Sequence, residues 1–277
     1  MWCWLYGLAL AADFSRVAAD DTTVSLELAG RSYAHEDGSI VDLVGVAHIG
    51  LPDFYSEVDS RLSQADVVLY EGVGGVGQTE SGLNGAFAEL ALGLGLVFQL
   101  DVIDYTHTHW RNSDLSVNEL SGARAVQVVQ GSSELRTMRV LARRASRSSR
   151  IRVMAKLMLV ESLPRSEGSL EQTMGPQLYQ SLVLSRNDVV DQDLQELRGQ
   201  HVAVLYGAAH LPDLEARLLA RQFRPVHEWW TAAITVSPAV DGVEPKMIRS
   251  VRERVLRKLG RAGAMLYEGR GSEAAQK

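Results

Sequence analysis

The amino-acid sequence predicts an α/β fold, a central mixed sheet with flanking helices, and two observations carry that expectation. Short β-type runs alternate with amphipathic helical stretches along the chain, the pattern of helices packed on a sheet. One phrase also occurs twice: residues 44–54 read VGVAHIGLPDF and residues 206–214 read YGAAHLPDL. Each copy follows a β-run, IVDLV or VAVLY, and precedes a helical pattern, so the chain holds two strand–GxxH–helix units.

The elements follow in order. Thr23 to Tyr33 alternates apolar and polar residues and, across the turn-forming EDGS, pairs with IVDLVGVAH as a predicted hairpin. Pro52 opens a helix with Phe54, Val58 and Leu62 on one face. Asp66 to Tyr70 reads as a short buried strand ending at Glu71, and GVGGVGQTESG as a loop. Ala86 to Leu96 has helical character, and Val97 to Ile103 reads as another strand. DYTHTHWRNSDLS is then a polar, aromatic loop leading into a mainly helical insertion, 110–200, whose last helix covers Gln177 to Leu197. The strand HVAVLY, a helix from Pro212 and a closing strand, Thr231 to Ser237, complete a domain over 23–240. Residues 241–277 supply a basic amphipathic helix and a disordered tail.

Residues 1–22 form an apolar N-terminal segment. Trp2 to Ala12 has the length of a signal-peptide core, and ALA-A resembles a cleavage site, but a basic leader is absent. It reads either as an export signal, placing the protein outside the cytoplasm, or as a docked helix. No other stretch has the apolar length of a membrane span. The chain has 277 residues, 46% hydrophobic and 22% charged, ordinary for a globular protein. A net charge of −6 gives no reason to expect nucleic acid as a partner. Cys3 is the only cysteine, so any metal site must be built from His, Asp or Glu.

In the repeated phrase, glycine permits a close backbone approach and proline sets the helix start. Common strand–turn–helix grammar accounts for both, but poorly for two matched histidines, His48 and His210. Glu71 ends a strand as well, and the C-terminal ends of strands are where open α/β sheets gather ligands. Two histidines and a carboxylate are a ligand set for a divalent metal with an open water position; without metal, the same groups form a general-base pair acting on water.

The ordered set GVAHIG, ADVVLYE, LSRNDVVDQDL and VAVLYGAAHLPDL resembles the TraB/PrgY/GumN family, related to the TIKI proteases and more distantly to erythromycin esterases and ChaN-like proteins. The resemblance spans residues 38–230. In that family the two GxxH motifs, the strand-end Glu and an Arg-Asn pair build the proposed site, which falls here on His48, Glu71, Arg186, Asn187 and His210. A Glu usually precedes the Arg; here Ser185 stands in its place. The resemblance implies a metal-dependent hydrolase, peptidase-like, acting on a peptide or other small amide or ester. The metal, Mn²⁺, Co²⁺ or Zn²⁺, would sit on His48, Glu71 and His210. A non-catalytic protein sequestering a peptide or haem-like ligand in the same cleft is the competing expectation.

Arg186 would clamp a substrate carboxylate bidentately; the alternative is a surface arginine pairing with Asp188 or Asp193. Asn187 would orient a ligand or water. In DYTHTHWRNSD, Asp104, Tyr105, His109 and Asp114 are further substrate-contact candidates, against a plain structured loop. GVGGVG matches G-x-G-x-x-G at Gly72, Gly74 and Gly77, but polar QTESG follows where a dinucleotide site needs a helix, so no nucleotide cofactor is expected. Arg136 to Lys156 contains eight basic residues and no acidic one. Such a run reads first as a solvated helix face, and second as contact with an anionic membrane surface or acidic partner.

Overall fold

The computed structural model describes residues 13–72, 82–116, 133–167 and 170–274. The N-terminal apolar run to Ala12, the glycines Gly74 and Gly77, and the last three residues lie outside them. Strands β1 (Ser15–Ala19), β2 (Val24–Ala34) and β3 (Ile40–Val46) open the chain. A two-residue β4 (Ile49–Gly50) leads to α1 (Pro52–Leu62), β5 (Val67–Tyr70), α2 (Leu83–Leu94), β6 (Val97–Phe98), α3 (Gln99–Val102) and β7 (Trp110–Asn112). Then come α4 (Ser133–Arg147), α5 (Ser149–Glu167), α6 (Leu170–Met174), α7 (Pro176–Tyr179), a π-helical turn at Gln180–Leu184, and α8 (Ser185–Glu196). β8 (His201–Gly207), a 3-10 turn (Ala208–His210), α9 (Leu211–Ala220), β9 (Arg224–Val236), α10 (Pro238–Asp241) and α11 (Pro245–Ala274) finish it.

The sheet is mixed, seven strands in the order β1-β2-β3-β8-β5-β7, with β9 also on β2. Four of them, β3, β8, β5 and β7, run parallel. The apolar sequences of β3, β8 and β5 suit this position, because parallel strands inside a sheet are covered on both faces, whereas β7, Trp-Arg-Asn, is the exposed edge. Side-chain alternation assigns the two faces. Val41 and Leu43 of β3, Leu69 of β5, and Val202, Val204 and Tyr206 of β8 pack with α8 and α9. Val44, Val46, Val68, Ala203 and Leu205 pack in the second cluster, with α1, α2, α5 and α11. Helices therefore cover both faces of the sheet.

The late strand β8 inserts between β3 and β5, with Val46 opposite Gly207 and Tyr70 opposite Leu205. That insertion makes the two GxxH motifs neighbours across one strand pair, with Glu71 on the other side of β8. The two glycines serve different contacts. A Cβ on Gly45 would meet the Ala29 carbonyl oxygen at 2.9 Å, whereas one on Gly207 would meet Glu71 Oε2 at 3.1 Å.

Several elements depart from expectation. Trp110–Asn112 is a parallel edge strand rather than loop, because its backbone pairs with Val68–Tyr70. Val97 to Ile103 is a two-residue strand followed by a helical turn. The closing strand is 13 residues long and starts at Arg224, extended by pairing along all of β2. Ser15–Ala19, assigned to the apolar leader, is a strand. The final helix runs on through Ala274, where a disordered tail was expected.

Candidate functional site

α8 packs on one face of the sheet with its first turn at the carboxyl ends of β5 and β8, and turns Arg186, Asn187, Val190, Asp193 and Leu194 inward. This spacing is one helix face. Val190 and Leu194 join the core beneath, and the polar pair at the first turn is left facing the strand ends. Arg111 Nη2 donates to Asp193 at 2.6 Å, while Arg217 of α9 and Arg221 just after it pair with Asp188 and Asp191, each at 2.7 Å. Asp188 and Asp193 thus have other partners, and Arg186 is buried rather than on the surface.

Arg186 stands at the centre of the site. Its Nε donates to Asp114 Oδ1 at 2.8 Å, and its Nη2 donates to Asp114 Oδ2 at 2.6 Å and to Glu71 Oε1 at 2.7 Å. Nη1 lies 3.4 Å from both the Leu182 carbonyl oxygen and His210 Nε2. All five N–H groups of a guanidinium are thereby directed, so the expected clamp on a substrate carboxylate is not available in this arrangement. Asp114 is equally engaged: its side chain is fully buried, and the Gly72 and Leu115 amides donate to it at 3.0 and 2.7 Å. It is a frame for Arg186, not the substrate contact expected of it.

Glu71 continues the alternation of Leu69 onto the α8 side. Its Oε2 accepts from the Gly207 amide at 2.7 Å, and Oε1 lies 3.8 Å from His210 Nε2. Burial disfavours its charge, but His210, Arg186, His48 and the Gly207 amide outweigh that and hold its pKa down, at about 2. Glu71 is an anion.

Asn187 fixes the state of His210. Its Nδ2 donates to the His210 carbonyl at 3.1 Å and to Asp213 Oδ2 at 2.8 Å, so its oxygen faces His210 Nδ1, at 2.8 Å. An oxygen there accepts, which makes Nδ1 the protonated nitrogen and leaves Nε2 with its lone pair. Burial lowers the pKa of His210 and, with Arg186, outweighs the raising effect of Glu71, Asp114 and Asp213. The resting imidazole is neutral, its bare nitrogen beside a carboxylate. Asn187, expected to meet ligand, is instead fully buried behind His210.

The two GxxH histidines are not equivalent. His210 is buried, whereas His48 is exposed, with its ring 5.0 Å from that of Phe87 on α2. His48 reaches the centre by electrostatics, as one of the groups that lower the Glu71 pKa. The Pro-Asp halves diverge likewise: Asp213 holds Asn187 and Arg217, whereas Asp53 is exposed. The remaining candidates stay outside. Asp104 is exposed and accepts from the Thr106 amide and hydroxyl at 2.9 and 2.6 Å. Tyr105 is buried against Tyr70 and Trp110 and accepts from Gln99. His109 precedes β7, at the opposite end of that strand from the site, and packs by Trp110.

Taken alone, the centre of Arg186, Glu71, Asp114 and neutral His210 carries one surplus negative charge. The donor types suit a divalent metal. As placed, however, Glu71 Oε1 and His210 Nε2 both face the Arg186 guanidinium, which occupies a cation's position. Among the described residues, no group of three or more His, Cys, Asp or Glu is arranged to hold a metal ion. Comparison with protein families, curated proteins and solved structures finds no match to this chain.

Residues absent from the sequence expectations complete the surroundings. Tyr206 donates to the Ser113 carbonyl and sets its ring edge-on to His210, 5.1 Å away, and Phe87 covers His48. Tyr206 and Asp213 both lie in the repeated phrase YGAAHLPDL, which was their signal. A separate cavity of about 280 Å³, lined by His35, Asp37, Arg198, Arg221, Gln222 and Phe223, lies at the amino ends of β3 and β8. It is therefore at the other pole of the sheet from Glu71 and His210.

Proposed function

We propose that this centre hydrolyses an amide or ester bond, with a peptide or another small amide or ester as substrate. One observation carries the reading: a neutral imidazole, its tautomer set by Asn187, presents an unprotonated Nε2 3.8 Å from the anionic Glu71 Oε1, with only the long 3.4 Å contact from Arg186 Nη1 to be given up to a water. Two acceptors at that separation favour a water hydrogen-bonded to both. As the water oxygen attacks a carbonyl carbon, Nε2 takes its proton, a contribution of about 10²–10⁴-fold for a positioned base. The imidazolium so formed offsets the surplus negative charge of the centre. The proton then passes to the leaving nitrogen or oxygen as its bond to carbon breaks. His48, at the exposed rim, assists that departure, while Arg186 and Asp114 keep Glu71 ionised and in place.

The resemblance to TraB/PrgY/GumN sequences supports hydrolysis and implies a metal-dependent form of it. In the arrangement described, a Mn²⁺, Co²⁺ or Zn²⁺ ion would have to displace Arg186 from Glu71, so each step above runs through side chains and water. The test is a peptide, amide and ester panel assayed with chelator and with each metal in turn. Expected is turnover that survives chelation and falls in His210→Ala and Glu71→Gln. Turnover only with added metal overturns the metal-free steps. Tight binding of a peptide or haem-like ligand without turnover overturns hydrolysis in favour of sequestration.

A further inference from the structure

The surface of α4 follows a strict division. Leu135 is buried, and Ala142 and Ala145 are buried with Met138 and Leu141 partly so against the core that includes α2. At Gly93 of α2 the two helices come so close that an added Cβ would lie 2.5 Å from the Ala142 carbonyl oxygen. The opposite face carries Arg136, Val140, Arg143, Arg144 and Arg147, all exposed. Offsets of four, seven, eight and eleven residues from Arg136 make this one continuous stripe, and exposed Arg150 follows at the start of α5.

These five arginines differ from the other arginines nearby. Arg139 pairs with Glu89 at 3.3 Å, Arg165 with Glu161 at 2.8 Å, and Arg152 lies by Asp241 at 3.9 Å. Among the described residues, none of the five has an ion-pair partner. Val140 lies among them and is 46% exposed, and on the neighbouring α2 Leu92, adjacent in sequence to Gly93, is 81% exposed.

We infer that the outer face of α4, with Arg150 and Leu92, docks on the surface of an anionic lipid bilayer. Unpaired guanidiniums attract phosphate headgroups, each contributing roughly a fivefold gain in partitioning. Exposed Val140 and Leu92 supply the shallow apolar contact that a solvated ion-pairing face does not need. Nucleic acid offers phosphates to the same guanidiniums, but the net charge of −6 opposes a large polyanion, so RNA enters as a competing outcome of the test. No helix among the described residues is long and apolar enough to cross a membrane. α2 links the α4 face to the cleft, since Phe87 packs on His48 and Gly93 on α4.

The test is co-sedimentation of the full chain with phosphatidylcholine vesicles and with vesicles also containing phosphatidylglycerol. Expected is binding to the anionic vesicles alone, released by high salt because exposed charges are screened. Replacing Arg136, Arg143, Arg144 and Arg147 together by Gln should abolish binding without changing Tm, and replacing them by Lys should retain it. Leu92→Gln alone should weaken binding severalfold. Equal binding to both vesicle types, retention by the four-Gln protein, or preference for single-stranded RNA or polyglutamate over vesicles overturns the inference. None of these outcomes bears on hydrolysis in the cleft.

Discussion

His210 Nδ1 and Asn187 Oδ1 lie 2.8 Å apart, and this contact decides which imidazole nitrogen faces Glu71. Because Asn187 Nδ2 is held by the His210 carbonyl and Asp213, the amide cannot rotate to offer its NH₂ instead. Asn187→Ala should release the tautomer and leave a buried carbonyl and N–H unpaired, at about 1–3 kcal/mol. Nitrogen-15 NMR of the imidazole reads the tautomer directly, with His210→Gln assigning the signal. Wild-type protein should carry the proton on Nδ1. A spectrum dominated by the other tautomer would remove the basis for Nε2 as the base.

Acid should destabilise the protein in two steps, because both groups have depressed folded-state pKa values. A neutral buried His210 contributes stability that is fully present above the unfolded imidazole value of about 6.5 and is lost as pH falls through it toward the lower folded value. Glu71, lowered to about 2 from 4.5, contributes stability present above pH 4.5 and lost as pH falls toward 2. That second loss is on the order of 3 kcal/mol. Tm measured against pH should show both declines, and Glu71→Gln should flatten the lower one. An unchanged acid limb in that variant would contradict the ionised Glu71.

The two motif glycines should separate fold from function. At Gly45 an added methyl meets the Ala29 backbone oxygen at 2.9 Å, and a strand paired within the sheet has little room to retreat. Gly45→Ala should cost about 1–3 kcal/mol by overpacking. At Gly207 the methyl meets the Glu71 carboxylate at 3.1 Å, the end of a side chain that yields by a few tenths of an ångström. Gly207→Ala should change stability by less than about 1 kcal/mol while moving Glu71 off the Gly207 amide and lowering turnover. Chemical denaturation beside the hydrolysis assay distinguishes them; equal losses of stability would defeat the contrast.

The strand-end positions of His48, Glu71 and His210 were legible because apolar runs, glycine and proline punctuate the chain locally. The difference between the histidines was not. It arises from Phe87 on one side and, on the other, from Tyr206 within the motif together with Asn187 and Arg186, 23 and 24 positions from His210. Asp114 read as a free polar loop residue, since its role depends on the Gly72 amide and Arg186, 42 and 72 positions away. β7 has three residues, too few for a period to register, and its identity comes from pairing with β5. The basic run of α4 was visible as composition, but its unpaired stripe emerged only once the buried face was known.

Arg186 is the residue whose loss should cost most. Its guanidinium is shared between Asp114, which is fully buried, and Glu71, whose side chain is 16% exposed. Removing one partner of a buried ion pair costs about 3–5 kcal/mol, because the remaining charge stays desolvated. Arg186→Met keeps much of the side-chain volume, so the loss it shows is electrostatic rather than a cavity. Arg186→Lys should recover only part, since one ammonium cannot reproduce the fork across Asp114 Oδ1 and Oδ2. Adding Asp114→Asn to Arg186→Met should restore some stability by removing the stranded charge, although the amide accepts less well from Gly72 and Leu115. Urea unfolding of the three variants measures each step. If Arg186→Met unfolds within about 1 kcal/mol of the wild type, the carboxylates are solvated, and Arg186 does not hold the charge frame on which the Glu71–His210 pair depends.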